Sequence, residues 1–371
     1  MNRIHNDISD SIPDDVSAFR WRVHRAQYNN RKVMLDIPTP PISANPRAKT
    51  IWEHYFKLIY QDYKLAEKLK ANKDSLKTEV PGLYDRIFPN NQFDKTALLE
   101  MLILPPQKYA CIDLGRKRIN GKPDTPVLCE VFDYDNIAKR EAFGELVFLL
   151  DVNTCPYCGR AFTNTVKRKD LSSSKRQFIR TNQVDHYYPK ALYPHLALSI
   201  YNWIPSCGSC NQRKSDNDKQ FLYPYVEEMG DAYQFRTHVV DGVDYLMGKN
   251  GSEDDFFMSL DQIETTSSTA PGFCGRAEEE IAKLGINELY ESHKGYVCNL
   301  FRQRFVFGDA YIDSLISSFP ELFKTRGDVW GMIHAKSIQP EQIGSCPLDK
   351  LTKDINEEID FLLQASKMSL A

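Results

Sequence analysis

The sequence predicts an α+β protein: a small strand–loop–helix finger stapled by four cysteines, embedded between mainly helical N- and C-terminal regions. Three observations predict it. Two Cys-x-x-Cys pairs, Cys155/Cys158 and Cys207/Cys210, flank a gap of 48 residues in a chain of 371. Within that gap the stretch before Asp185 reads as a strand that Pro189 ends, and the second pair runs straight into Asn211, which reads as the start of a helix. On both sides of it, apolar residues recur at helical spacing.

Composition bounds the rest. Hydrophobic residues make up 42% and charged residues 26%, the balance of a globular chain and not of a disordered or fibrous one. At ~150 residues per domain the length allows two or three domains. The longest aliphatic or aromatic run is Leu146 to Leu150, whereas a membrane helix needs ~20 apolar residues, so no membrane partner is expected. The opening MNRIHNDISDSIPDDVSAFR has no apolar core of a secretory leader, and a cytoplasmic protein is expected. Nine cysteines are an odd number in such a chain, which favours metal binding over a disulfide framework. The net charge of −3 hides an asymmetry: ten basic residues and two acids lie between Cys155 and Lys214. One basic island in an otherwise acidic chain suggests a polyanion site.

Residues 1–46 read as an N-terminal arm ending in Pro38, Pro40, Pro41 and Pro46, which no regular helix would contain. Residues 47–150 read as mainly helical. Trp52, Tyr55, Phe56, Ile59, Tyr63 and Leu65 give one face of a helix over 47–79, ended by Pro81-Gly82. A second helix spans 93–104 and stops at Pro105-Pro106; short strands with a turn at Asn120-Gly121 follow, then a helix over 137–150. Residues 151–225 carry the chemistry, with the serine run Ser172–Ser174 marking a loop tip. In 226–371, short strands or a hairpin at 232–261, with turns at Gly242, Gly248 and Gly251, precede helices at 277–284, 288–307, 311–319 and 349–364.

Two Cys-x-x-Cys knuckles supply the closed shell of four soft ligands that tetrahedral structural zinc wants. A redox role would want a thioredoxin-like context that is missing here, and unrelated thiols would not come as two pairs. Cys111, Cys129, Cys274, Cys298 and Cys346 stand alone and read as small apolar residues.

Between the knuckles and just past the second lie the groups that phosphodiester hydrolysis requires. A histidine of pKa ~6.5 is a natural base for water at neutral pH. A hard divalent ion such as Mg²⁺ wants oxygen ligands. His186 offers the base, with Asp185 beside it and the amide of Asn211 at a helix start. Adjacent strand residues point to opposite faces, so Asp185 and His186 would need a twist or bulge to share a site. Asn202, in the connecting loop, would hold loop backbone or orient the imidazole. Lys190, Arg213 and Lys214 would meet backbone phosphates, and the basic cluster from Lys167 to Arg180 is either a further phosphate contact or a solvated loop. His195 reads as a loop residue, and Tyr187, Tyr188, Tyr193, Tyr201 and Trp203 as core.

The order Asp185-His186, Asn202, Cys207-x-x-Cys210-Asn211-x-x-Lys214 resembles the HNH endonucleases, also called ββα-metal or His-Me finger nucleases. The resemblance covers about residues 151–225. It implies a ββα-metal HNH finger stapled by a four-cysteine zinc. It assigns His186 as general base, Asp185 and Asn211 as ligands of a catalytic Mg²⁺ or Mn²⁺, and Asn202 as the residue that orients loop and base. The product would carry a 5′-phosphate. The wider pattern, Asp-His-Tyr-Tyr-Pro-Lys with Tyr193-Pro194, Tyr201-Asn202 and the RAEEEIAKLGIN stretch at 276–287, resembles HNH proteins of bacterial anti-phage systems of the Septu type. That resemblance implies a defence effector acting on nucleic acid, DNA in preference to RNA, with an ATPase as partner protein. The first 150 residues have no counterpart in it. The other readings are a non-catalytic zinc-stapled module that binds nucleic acid or protein, and a toxin-like effector restrained by its acidic helical regions or its partner.

Overall fold

The computed structural model describes all residues except 1–2, 5, 10–11, 29–30, 115–117, 120–121, 124, 170–176, 217–220, 241–255, 264–270, 337–342 and 370–371. The turn expected at Asn120-Gly121, the serine run, and Gly242, Gly248 and Gly251 lie outside the described residues, as do Lys175 and Arg176. The chain divides into two compact units, one of Ile4–Val152 with Thr163–Asp218, the other of Met1–Arg3, Asn153–Phe162 and Lys219–Ala371.

The first unit begins with structure where an arm was expected. Strands β1 (Arg20–Tyr28) and β2 (Arg31–Thr39) form an antiparallel hairpin, and Ile8 and Phe19 are buried. The prolines do exclude a helix; Pro38 sits opposite Trp21 in the pairing. Helix α1 (Pro46–Phe56) starts where Asn45 accepts from the Ala48 N–H at 2.7 Å, with Pro46 in the first turn. Trp52, Tyr55, Phe56, Ile59, Tyr63 and Leu65 are all buried, as the periodicity demanded.

The single helix expected over 47–79 is nevertheless broken. A π-helical segment (Lys57–Asp62) leads to Lys64 in the left-handed conformation, followed by α2 (Leu65–Ala71) and α3 (Lys73–Glu79). The Tyr63 hydroxyl, at the break, donates to Val131 O and accepts from the Asp133 N–H, so tertiary bonds override the local pattern. Pro81 does not merely end a helix but opens α4 (Pro81–Ile87). A Cβ at Gly82 would meet Asp113 O at 2.6 Å, which explains the glycine. Then come α5 (Lys95–Ile103, capped by Asp94), short strands β3 (Arg118–Ile119) and β4 (Lys122–Pro123), α6 (Pro126–Val131), α7 (Tyr134–Ala138) and α8 (Glu141–Leu150). The helix expected over 137–150 is thus two.

Two strand pairs and a helix complete this unit. β5 (Thr165–Lys167) pairs with β6 (Phe178–Arg180), and β7 (Gln183–His186) pairs antiparallel with β8 (Trp203–Ser206). Helix α9 (Gly208–Lys214) follows β8 at once, beginning three residues before the expected start at Asn211. The result is the expected strand–loop–helix finger.

In the second unit β9 (Tyr233–Val239) and β10 (Phe256–Gln262) form the expected antiparallel ribbon. Helices α10 (Phe273–Leu284), α11 (Ile286–Glu291), α12 (Lys294–Val306), α13 (Asp309–Ser318), α14 (Arg326–His334) and α15 (Asp349–Ser369) follow. The helix expected over 288–307 is split between α11 and α12. Helix α14 was not expected, although Thr325 and Asp328 form the capping box that announces it. No helix among the described residues is long and apolar enough to cross a membrane.

Candidate nuclease site

A cavity of about 400 Å³ opens at the end of β7 in the first unit. Asp185, His186, Lys190 and Asn211 line it, together with Tyr134, Arg180 and Gln183. The β7–β8 register runs unbroken through Asp185↔Ile204 and His186↔Trp203, so no bulge was needed. Asp185 sits against α9, and His186 ends its strand beside α7.

His186 is 6% exposed. Its Nε2–H donates to Ala197 O at 3.0 Å, and that carbonyl also accepts from Trp203 Nε1 at 2.8 Å. A carbonyl can only accept, so Nε2 carries the proton and Nδ1 holds the lone pair. Nδ1 has no hydrogen-bond partner among the described residues. Burial pushes the imidazole pKa down to about 3, with Lys190 and Lys214 adding to the effect against the Ala197 hydrogen bond. The ring is therefore neutral at physiological pH, with the lone pair on Nδ1. The Tyr134 ring meets it edge-on at 4.4 Å between centroids.

Asn202 is fully buried behind the cavity. Its Oδ1 accepts from the Tyr188 N–H at 2.7 Å, and its Nδ2 donates to Tyr188 O and Leu196 O at 3.1 and 3.0 Å. It spans the loop, fixing the residue next to Ala197, whose carbonyl orients the imidazole. It touches the ring only through that loop.

Lys214 departs from expectation. Instead of meeting phosphate, its ammonium lies buried against Asp185, at 3.0 Å from Oδ2 and 3.2 Å from Oδ1, and donates to His186 O at 2.8 Å. The last turn of α9 points it inward, and a buried ammonium must be paired. Arg213, one residue earlier, is exposed but does not line the cavity. Lys190 does, pairing with Asp135 at 2.6 Å. Within the basic island, Arg180 lines the cavity with its guanidinium 5.1 Å from the Phe143 ring, whereas Arg160 belongs to the second unit and donates to Leu289 O within it.

Tyr134 and Gln183 line the cavity without having been foreseen, and Asp135 enters only as the partner of Lys190. Gln183 Oε1 accepts from Asn211 Nδ2 at 2.7 Å. That bond turns the Asn211 carbonyl oxygen away from Gln183 and leaves it without a partner among the described residues. A carboxylate and an amide oxygen form an all-oxygen donor set, which fits a hard divalent ion. A carboxylate has about four acceptor directions, so Lys214 does not exhaust Asp185.

The two knuckles differ in build. Cys155 and Cys158 bracket a tight turn in which the Gly159 N–H donates to Cys155 O at 2.8 Å and Gly159 takes φ +61°, a conformation glycine adopts without strain. Cys207 caps α9, its Sγ accepting from the Cys210 N–H at 3.4 Å. The four Sγ atoms lie within 4.8 Å of one another, and none of the four is in a disulfide. Thiolates around a tetrahedral zinc would stand ~3.8 Å apart, so the set could hold a metal ion. His195, buried, donates from Nε2 to Tyr109 O at 2.9 Å and does not line the cavity. Tyr201 and Trp203 are core, as expected.

Residues 155–217 match the family model of the HNH endonucleases. Over 70 residues the chain is 31% identical to the "Septu protein PtuB" of Bacillus thuringiensis, which covers 18% of this chain and 27% of that protein. The chain thus matches about a quarter of that relative's length. No solved structure matches.

Proposed function

We propose that the protein is a metal-dependent HNH endonuclease that hydrolyses phosphodiester bonds, acting on DNA in preference to RNA. The observation that carries this reading is His186: a neutral imidazole with its Nε2 proton committed to a carbonyl and its Nδ1 open, beside the oxygen donors Asp185 and Asn211. His186 Nδ1 takes a proton from the water that attacks phosphorus. Asp185 and Asn211 would hold a Mg²⁺ or Mn²⁺ ion, which would supply Lewis-acid neutralisation of charge at the phosphate. Asn202 keeps the loop, and through Ala197 the ring, in place. Lys214 holds Asp185 and the strand end together. Arg180, Lys190 and Arg213 draw the polyanion in; contacts to phosphate carry no direct sequence information, so binding is salt-sensitive and weakly selective. The four cysteines hold a structural zinc. The likeness to a Septu protein supports an effector role in anti-phage defence; a cytoplasmic location and an ATPase partner are part of the same proposal.

The test incubates wild type and His186→Ala with plasmid DNA, single-stranded DNA and total RNA, with Mg²⁺, Mn²⁺ or EDTA. The reading expects cleavage of DNA that needs the ion and drops by about a thousandfold in the variant. Cleavage unaffected by EDTA, or equal in both proteins, would refute it.

A further inference from the structure

We propose that Tyr134, from the N-terminal helical region, donates a hydrogen bond from its hydroxyl to a phosphate oxygen of the substrate in the His186 cavity. This inference rests on the nuclease reading of that cavity.

Tyr134 opens helix α7, fifty residues before the Asp-His pair, outside the stretch that matches the HNH family. Its ring is wedged among aromatics: Phe143 at 5.6 Å, Trp203 at 5.9 Å and His186 at 4.4 Å, each edge-on. Three rings hold the side chain in one orientation, so little freedom remains to be lost on binding. Yet the hydroxyl has no hydrogen-bond partner among the described residues. Several tyrosine hydroxyls of this unit are used, among them Tyr55 to Leu198 O, Tyr63 to Val131 O, Tyr84 to Asn91 Oδ1 and Tyr201 to Ile8 O, while that of Tyr60, away from the His186 cavity, is likewise unmet. A rigid phenol lining a cavity with an unmade hydrogen bond is a donor waiting for an acceptor.

The chemistry of the cavity says which acceptor. Lys190 places its ammonium 5.3 Å from the centre of the Tyr134 ring, and Arg180 lines the same space. Lys190 is paired with Asp135, and Asp185 and Asp216 also line the cavity, but around the phenol itself the two cations favour an anion. Burial also holds the phenol above the ordinary tyrosine range, so it remains a donor at any physiological pH. A phosphate oxygen accepts from several donors at once, and the phenol adds a neutral donor to the two cations.

Tyr134→Phe keeps the ring and deletes the donor; Tyr134→Leu deletes both. Affinity for a short fluorescein-labelled DNA duplex is measured in EDTA, and cleavage of plasmid DNA with Mg²⁺, for wild type and both variants. A hydrogen bond to a charged group predicts a loss on the order of tenfold in Tyr134→Phe, seen in the dissociation constant and in kcat/KM, with the melting temperature and the pH profile unchanged. If Tyr134 only packs against His186, Tyr134→Phe equals wild type in both assays while Tyr134→Leu loses activity, and the proposal is overturned. If wild type binds but does not cut, the nuclease reading fails and the binding comparison alone decides on Tyr134. If wild type neither binds nor cuts, both fall.

Discussion

Two antiparallel ribbons in this protein use the same residue types to opposite ends. In the ribbon β9–β10, carboxylates satisfy backbone. The Phe235 N–H donates to Asp354 at 2.9 Å, and the N–H and hydroxyl of Thr237 donate to Glu358. Asp354 and Glu358 stand one helical turn apart on α15, matching alternate residues of the strand. On the other edge Met258 N–H donates to Glu291 and Leu260 N–H to Asn287. Burial raises the pKa of both Asp354 and Glu358. In the ribbon β7–β8 the side chains around Asp185 hold one another and leave valence over: Nδ1 of His186, the carbonyl oxygen of Asn211 and the hydroxyl of Tyr134 face a cavity with nothing to bond. Acids, amides and histidines do not by themselves mark a site. What marks it is a bonding capacity held rigid and left unmet beside open space.

That contrast can be broken or sharpened by substitution. The largest effect belongs to Lys214→Met. It strands the Asp185 carboxylate in a buried position, at a cost of about 3–5 kcal/mol in a urea unfolding titration. A loss below ~1 kcal/mol would mean that the pair is solvated.

Next is a pH effect. Burial pushes the His195 pKa down to about 4 from 6.5. The folded state resists protonation there while the unfolded chain accepts it. His195 therefore contributes stability that is full above pH 6.5 and is lost as the pH falls toward 4, about 3 kcal/mol at most. His195→Gln should flatten this acid limb relative to wild type; an unchanged slope would contradict it.

In the other ribbon, Glu358→Ala leaves the Thr237 N–H unpaired and should cost about 2 kcal/mol in thermal or urea unfolding. Cleavage per folded molecule should stay at the wild-type level. A loss of activity beyond the loss of fold would erase the distinction between the ribbons. The smallest effect is expected of Gln183→Ala. It frees the Asn211 amide to turn, and cleavage should fall about fivefold with the melting temperature hardly moved, since one exposed hydrogen bond is worth about 1 kcal/mol.

How much of this was legible in the sequence depends on how local each feature is. The two knuckles, the Asp185-His186 pair and the helix carrying Asn211 are short-range patterns, and the four thiols do come together. Asn202 holds loop backbone through bonds that span fewer than twenty residues, a local pattern. Tyr134 was not legible, because nothing near it in the chain hints that His186 lies against it. Lys214 was misread for the same reason: a lysine at the end of a short helix looks like surface until the strand beneath it is in place. The break at Lys64 follows from bonds that Tyr63 makes to residues near 131–133, which periodicity cannot see. The start of α14, by contrast, was available in Thr325 and Asp328 and went unread.

The most direct test sets the two buried histidines of the finger side by side. Both donate from Nε2 to a backbone carbonyl, and burial lowers both pKa values. His195 Nδ1 is sealed in the interior, whereas His186 belongs to the cavity wall. Metal-dependent cleavage of plasmid DNA by His186→Ala and His195→Ala, each corrected for its folded fraction, separates them. The account predicts a loss of about a thousandfold for His186→Ala and a rate within a few-fold of wild type for His195→Ala. Comparable losses in the two variants, or an active His186→Ala, would contradict it.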